Sequence, residues 1–172
     1  MTAVLGIDAA WTTTNPSGVA LVARDAGRWR CVALAPSYRS FLDLAAGHAV
    51  DWLAPVTSDS PPEPKALLHA ARGLLGGADV DVVTVDMPVS TVAIGGRRPA
   101  DDAISVKYGG AGCGTHSPSG TRPGQVGVDF TKGFVALGYP WQSRGPALRR
   151  ALVEVYPHPA PLALTGWTRR LA

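Results

Sequence analysis

The chain has little cysteine, little charge and no long apolar run, and each shortage excludes something. Its two cysteines, Cys31 and Cys113, form neither a metal-ligand nor a disulfide spacing, so a core must hold the fold and a reducing compartment is expected. No stretch approaches the roughly 18 apolar residues of a membrane-spanning helix, and residues 1–8 carry no basic segment of the kind that opens a leader. A cytoplasmic protein with no membrane partner is expected. Only 17% of residues are charged whereas 46% are hydrophobic, which argues against disorder. At 172 residues the length suits one domain.

Glycine and proline, by contrast, are plentiful at 20 and 15 residues, and they point to long irregular connections. The net charge of +3 is unevenly placed. Residues 1–96 hold 6 Lys/Arg against 9 Asp/Glu, and residues 97–172 hold 10 against 4. A basic half of this kind is what a polyanion-binding face shows, though solubility charge produces it as well.

Along the chain, Ala3 to Asp8 reads as a buried strand that ends on a carboxylate. Thr12 to Gly18 is a run of turn formers, Val19 to Ala23 a second strand, and Trp29 to Leu34 a third after a tight reversal at Asp25-Ala26-Gly27. Together they predict a three-stranded antiparallel meander. Ser40 opens a helical pattern that Pro55 ends, and a second helix is predicted from Ser60 as N-cap and Pro61 at the first helical position to Gly76-Gly77. Val80 to Asp86 is a strand rich in β-branched residues that again ends on an acid. The segment from about 87 to 146 is rich in glycine and proline, and only Asp129 to Leu137 reads as helix within it. A short helical stretch near Ala147 to Arg150 and a strand from Leu152 to Tyr156, carrying Glu154, complete the pattern.

Asp8, Asp86 and Glu154 thus each lie in an otherwise apolar strand. A helix between the first two strands permits a right-handed crossover, which makes them parallel neighbours roughly 5 Å apart with their C-terminal ends together. Three converging carboxylates repel one another unless a cation sits between them, and oxygen ligands alone suit Mg²⁺ or Mn²⁺. The plainer alternative is that each acid caps a strand end or pairs with an arginine. His158, four residues after Glu154, is placed to orient a ligand or move a proton, whereas His116 reads as a surface loop residue. Arg97, Arg98, Lys107, Arg122 and Lys132, in or beside the glycine-rich segment, are candidates to contact phosphates. The run from Tyr108 to Gly114 lacks the Lys-Ser/Thr ending of a P-loop.

Several pieces resemble one family: Gly6-Ile7-Asp8-Ala9-Ala10-Trp11 with Pro16 and Gly18; Val85-Asp86-Met87-Pro88; Arg98 with Asp101 and Asp102; Ser117-Pro118; and Glu154-Val155-Tyr156-Pro157-His158-Pro159. This set is similar to the DUF429 family, described as predicted RNase H-like nucleases. The resemblance implies an α/β, RNase H-like fold, a mixed sheet with an antiparallel meander and parallel strands flanked by helices. It implies Asp8, Asp86 and Glu154 as ligands of Mg²⁺ or Mn²⁺, with Arg98, Asp102 and His158 as motif residues. Members of the family continue into further helices, one of them bearing a last carboxylate, so the C-terminal part of the family fold is expected to be missing here.

The expected function is therefore a metal-dependent nuclease acting on DNA or RNA, with Asp8, Asp86, Glu154 and His158 catalytic and Arg98, Lys107 and Asp102 touching substrate. One alternative is a module that binds nucleic acid or protein without catalysis. Another is half of an actin-like or sugar-kinase-like phosphotransferase, since Gly-Ile-Asp followed by a threonine-rich hairpin also opens those folds. A shortened chain leaves apolar sheet surface uncovered, and a homodimer covering it is expected.

Overall fold

The computed structural model describes residues 1–54, 56, 58–59, 62–146 and 149–170. Strands β1 (Thr2–Asp8), β2 (Gly18–Asp25) and β3 (Arg28–Ala35) form the antiparallel meander, and β4 (Val82–Val85) and β5 (Ala151–Glu154) extend it as parallel strands. The sheet order is β3-β2-β1-β4-β5, so β1 lies at the centre with an antiparallel neighbour on one side and a parallel one on the other. Its alternation explains the layer beneath it. Leu5 and Ile7 are sealed, and in register with them are Leu21, Val19, Val83 and Val85, all buried.

Helices α1 (Tyr38–Ala45), α2 (Pro64–Leu74) and α4 (Gly124–Ala136) cover that face, placing Phe41, Leu67, Phe130 and Phe134 against it. Burying each such side chain is worth about 1.5–3 kcal/mol before entropy is counted. The other face is less covered. Val4, Ala20 and Val22 are half-buried there, and Leu34 and Trp29, in register with Ala20 and Arg24, are 51% and 55% exposed.

The first helix is shorter than its periodicity predicts. Ser37 rather than Ser40 is its N-cap, accepting from the Ser40 amide at 3.0 Å, and the chain turns away at Gly47, whose φ of +90° suits glycine alone. Trp52 and Leu53, within the span expected to be helical as far as Pro55, lie beyond the helix and are exposed, and Pro55 lies outside the described residues. So do Ser60 and Pro61; the second helix begins at Pro64 with Glu63 at the cap position, and ends before Gly76 and Gly77 as predicted.

The glycine-rich segment holds more helix than its composition suggests. Helix α3 (Pro99–Tyr108) was not expected, and α4 starts five residues before Asp129. Residues 147 and 148 lie outside the described set, and Arg149-Arg150 form a turn. A last helix, α5 (Pro159–Thr165), follows β5. Among the described residues no helix is long and apolar enough to cross a membrane.

Candidate functional site

The parallel register pairs Ile7 with Val85, and the Asp86 amide continues the ladder by donating to the Ile7 carbonyl at 2.8 Å. The next residues, Asp8 and Asp86, are therefore neighbours on the face opposite the buried Ile7 and Val85. Among the described residues neither carboxylate is hydrogen-bonded or salt-bridged. Asp8 is exposed and Asp86 half-buried. Burial first, and then the charges of Asp8 and Glu154, push the Asp86 carboxyl up to about 6, with Arg170 opposing them.

Both acids face a cleft of about 370 Å³. One wall is the turn after β1, pinned where the Ala10 amide donates to Ser17 Oγ at 3.1 Å. Trp11 sits in that turn at φ +58°, a region that bulky side chains rarely enter. Its indole Nε1 lies 3.4 Å from the Asp86 carbonyl, which it points toward as donor, and its ring meets His116 edge-on at 6.3 Å. The Arg122 guanidinium lies 5.9 Å from the same ring.

The opposite wall comes from the segment after β5. Tyr156 and His158 pack edge to face at 5.1 Å, and the Tyr156 hydroxyl donates to the Gly114 carbonyl at 2.9 Å. Arg170 is held by its own amide, which donates to the Ala111 carbonyl at 2.9 Å. Burial and then the Arg170 charge lower the His158 imidazole below its usual value, and burial raises the Tyr156 hydroxyl.

Glu154 lies elsewhere. It is in register with the buried Val85, on the side of the sheet away from Asp8 and Asp86. Its Oε2 accepts from Arg98 Nη1 at 2.8 Å and from the Val89 amide at 3.0 Å, and Arg98 Nη2 reaches its Oε1. The same guanidinium grips Asp101 through Nε at 3.0 Å and Nη2 at 2.8 Å. Arg98 is thus a clamp between the start of α3 and the end of β5.

The clamp is electrostatically settled. Burial opposes ionisation of Asp101, but its bonds to Arg98 hold the carboxyl below the usual range, and the bonds to Glu154 raise the guanidinium. The other substrate candidates are also outside the cleft: Asp102 pairs with Arg97, and the Lys107 ammonium lies 5.2 Å from the Tyr108 ring.

Of the residues singled out in the sequence, the structure brings Asp8, Asp86 and His158 together and leaves Glu154, Arg98, Asp102 and Lys107 apart from them. It adds Trp11, His116, Tyr156 and Arg170, and turns Arg122 from one loop cation among several into a wall of the cleft. A tryptophan three residues beyond a strand-terminal aspartate was the one local signal for this wall; the others arrive on loops with no periodicity. Among the described residues no group of three His, Cys, Asp or Glu side chains is placed to hold a metal ion. No protein-family model, curated protein or solved structure matches the chain.

Proposed function

We propose that the chain hydrolyses nucleic-acid phosphodiester bonds with the help of a divalent metal, on an RNase H-like fold, in keeping with its resemblance to the DUF429 family. The observation that carries the reading is the pair Asp8 and Asp86. They stand side by side at the ends of adjacent parallel strands, neither carboxylate is hydrogen-bonded or salt-bridged among the described residues, and one is pushed to about 6 partly by the other. The sheet order, a meander followed by two parallel strands, supports the fold assignment.

The residues present fit one such ion. Mg²⁺ and Mn²⁺ are bound through one or two carboxylates, with waters and phosphate oxygens completing the shell, and a cation between these two acids would remove their repulsion. Glu154 does not fit as a further ligand, because Arg98 and the Val89 amide occupy its oxygens. When bound, the ion would supply an activated water and charge stabilisation at the phosphoryl oxygens.

The protein's own groups account for the rest. Arg122 and Arg170 draw a phosphate into the cleft. His158, biased toward its neutral form, accepts the proton that the attacking water gives up. Trp11 holds the Asp86 backbone through its indole.

The test is incubation of the purified protein with single- and double-stranded DNA, RNA and hybrids in Mn²⁺. Cleavage that Asp8→Asn abolishes is expected; cleavage that survives the substitution overturns the assignment. A second reading, binding without catalysis, is favoured by the absence of a third ligand beside the pair among the described residues. Salt-dependent binding with no cleavage in any metal would select it.

A further inference from the structure

We infer that the cleft takes single-stranded nucleic acid and holds it by stacking unpaired bases on its rings. The inference rests on the nucleic-acid reading of this site, but not on its metal. Two ring pairs line the same cleft as the acids: Trp11 with His116, and Tyr156 with His158. Two arginines, Arg122 and Arg170, share it with them. Aromatic faces interleaved with cations form a platform for a strand whose bases are free to stack, and bases inside a duplex offer no such faces. A duplex would present phosphates, sugars and base edges here, and no base face for the rings to stack on.

Trp11 adds weight. It packs on the core on one side and lines the cleft on the other. Its backbone is held at φ +58°, where a tryptophan is unfavourable unless the surroundings fix it, and such positions gather at ligand clamps. The Arg122 guanidinium lies 5.9 Å from the Trp11 ring, close enough to hold the phosphate of a base that stacks at that ring. At about 370 Å³ the cleft matches a ligand of nucleotide size.

Fluorescence anisotropy tests this, using end-labelled single strands of DNA and of RNA and the matching duplexes, with wild-type protein in EDTA at one fixed salt concentration. At least roughly tenfold tighter binding of a single strand than of its duplex is expected, and the DNA and RNA arms show which sugar is preferred. Trp11→Leu should weaken single-strand binding by roughly 5- to 100-fold, and by a larger factor than it weakens duplex binding. His116→Ala, at an exposed ring, should shift binding in the same direction and keeps the test alive if Trp11→Leu fails to fold. Equal or tighter duplex binding, or single-strand binding that neither variant changes, overturns the inference. Tight single-strand binding without cleavage in Mn²⁺ removes the hydrolase and keeps this inference; preferential cleavage of duplexes does the reverse.

Discussion

Asp86 takes up a proton more readily than an ordinary aspartate, and the sign of the effect on stability follows. With its carboxyl raised from 3.8 to about 6 by burial and by Asp8, the folded protein favours the protonated form more than the unfolded chain does. Stability is then undiminished below about pH 4 and falls as pH rises through about 6, where the folded state must bear the ionised group. Asp86→Asn should therefore raise the melting temperature near neutral pH, and the gain should vanish in acid. Added Mn²⁺ should narrow the neutral gap by stabilising the wild type alone. Melting curves that coincide at every pH would contradict the placement of Asp86. Arg98 makes the opposite kind of contribution. Arg98→Ala leaves Asp101, only 5% exposed, without its cation, and a loss of about 3 kcal/mol is expected in urea denaturation. A loss below about 1 kcal/mol would reduce the clamp to an ordinary surface pair.

Helix α1 begins under a carboxylate from another part of the chain. Asp59 Oδ2 accepts from the Tyr38 amide at 2.7 Å and Oδ1 from the Arg39 amide at 3.2 Å, while Ser37 Oγ takes the Ser40 amide. Ser37→Ala should cost about 1 kcal/mol, and Asp59→Ala at least as much, because it removes charge from the helix start as well as its bonds to the Tyr38, Arg39 and Ser17 amides. Helix α4 meets the start of α2 at Gly133, where an added Cβ would come within 2.7 Å of Pro64 Cγ. Gly133→Ala should destabilise by about 1–3 kcal/mol despite the better helix propensity of alanine; a gain in chemical denaturation would show that the two helices yield. These elements also show what was legible in the sequence. The five strands of the described residues announce themselves as short, mostly apolar runs bounded by turn formers, and burial on one face makes β1 and β2 alternate. Helix α3 does not, because Ile104 and Val106 share no buried stripe and its buried residue is Asp101. It is held by polar bonds to Arg97 and Arg98, a kind of stability that no hydrophobic period reports. The paired acids were readable because backbone register alone positions them. The cleft walls were not, since His116, Arg122 and Arg170 reach it on irregular chain.

The whole molecule covers its sheet unequally. Helices α1, α2 and α4 close one face, whereas Trp29, Leu34 and the half-buried Val22 stand on the other beside β3, an edge strand among the described residues. Light scattering should give about twice the chain mass of 17.8 kDa, with Trp29→Lys and Leu34→Lys together returning a monomer. A wild-type monomer would mean that this face needs no cover. The register of the central strands carries a different consequence. Side chains alternate with period two, so a slip of one residue between β1 and β4 would exchange the faces of Val85 and Asp86 and drive a carboxylate into the apolar layer around Phe130 and Phe134. The acid proposed for chemistry is thereby also a proofreader of assembly: every chain whose cleft is complete has necessarily paired its strands correctly. Replacing Asp86 with valine would silence that check, and the expected sign is a folded population of two registers, visible as doubled amide resonances for β4.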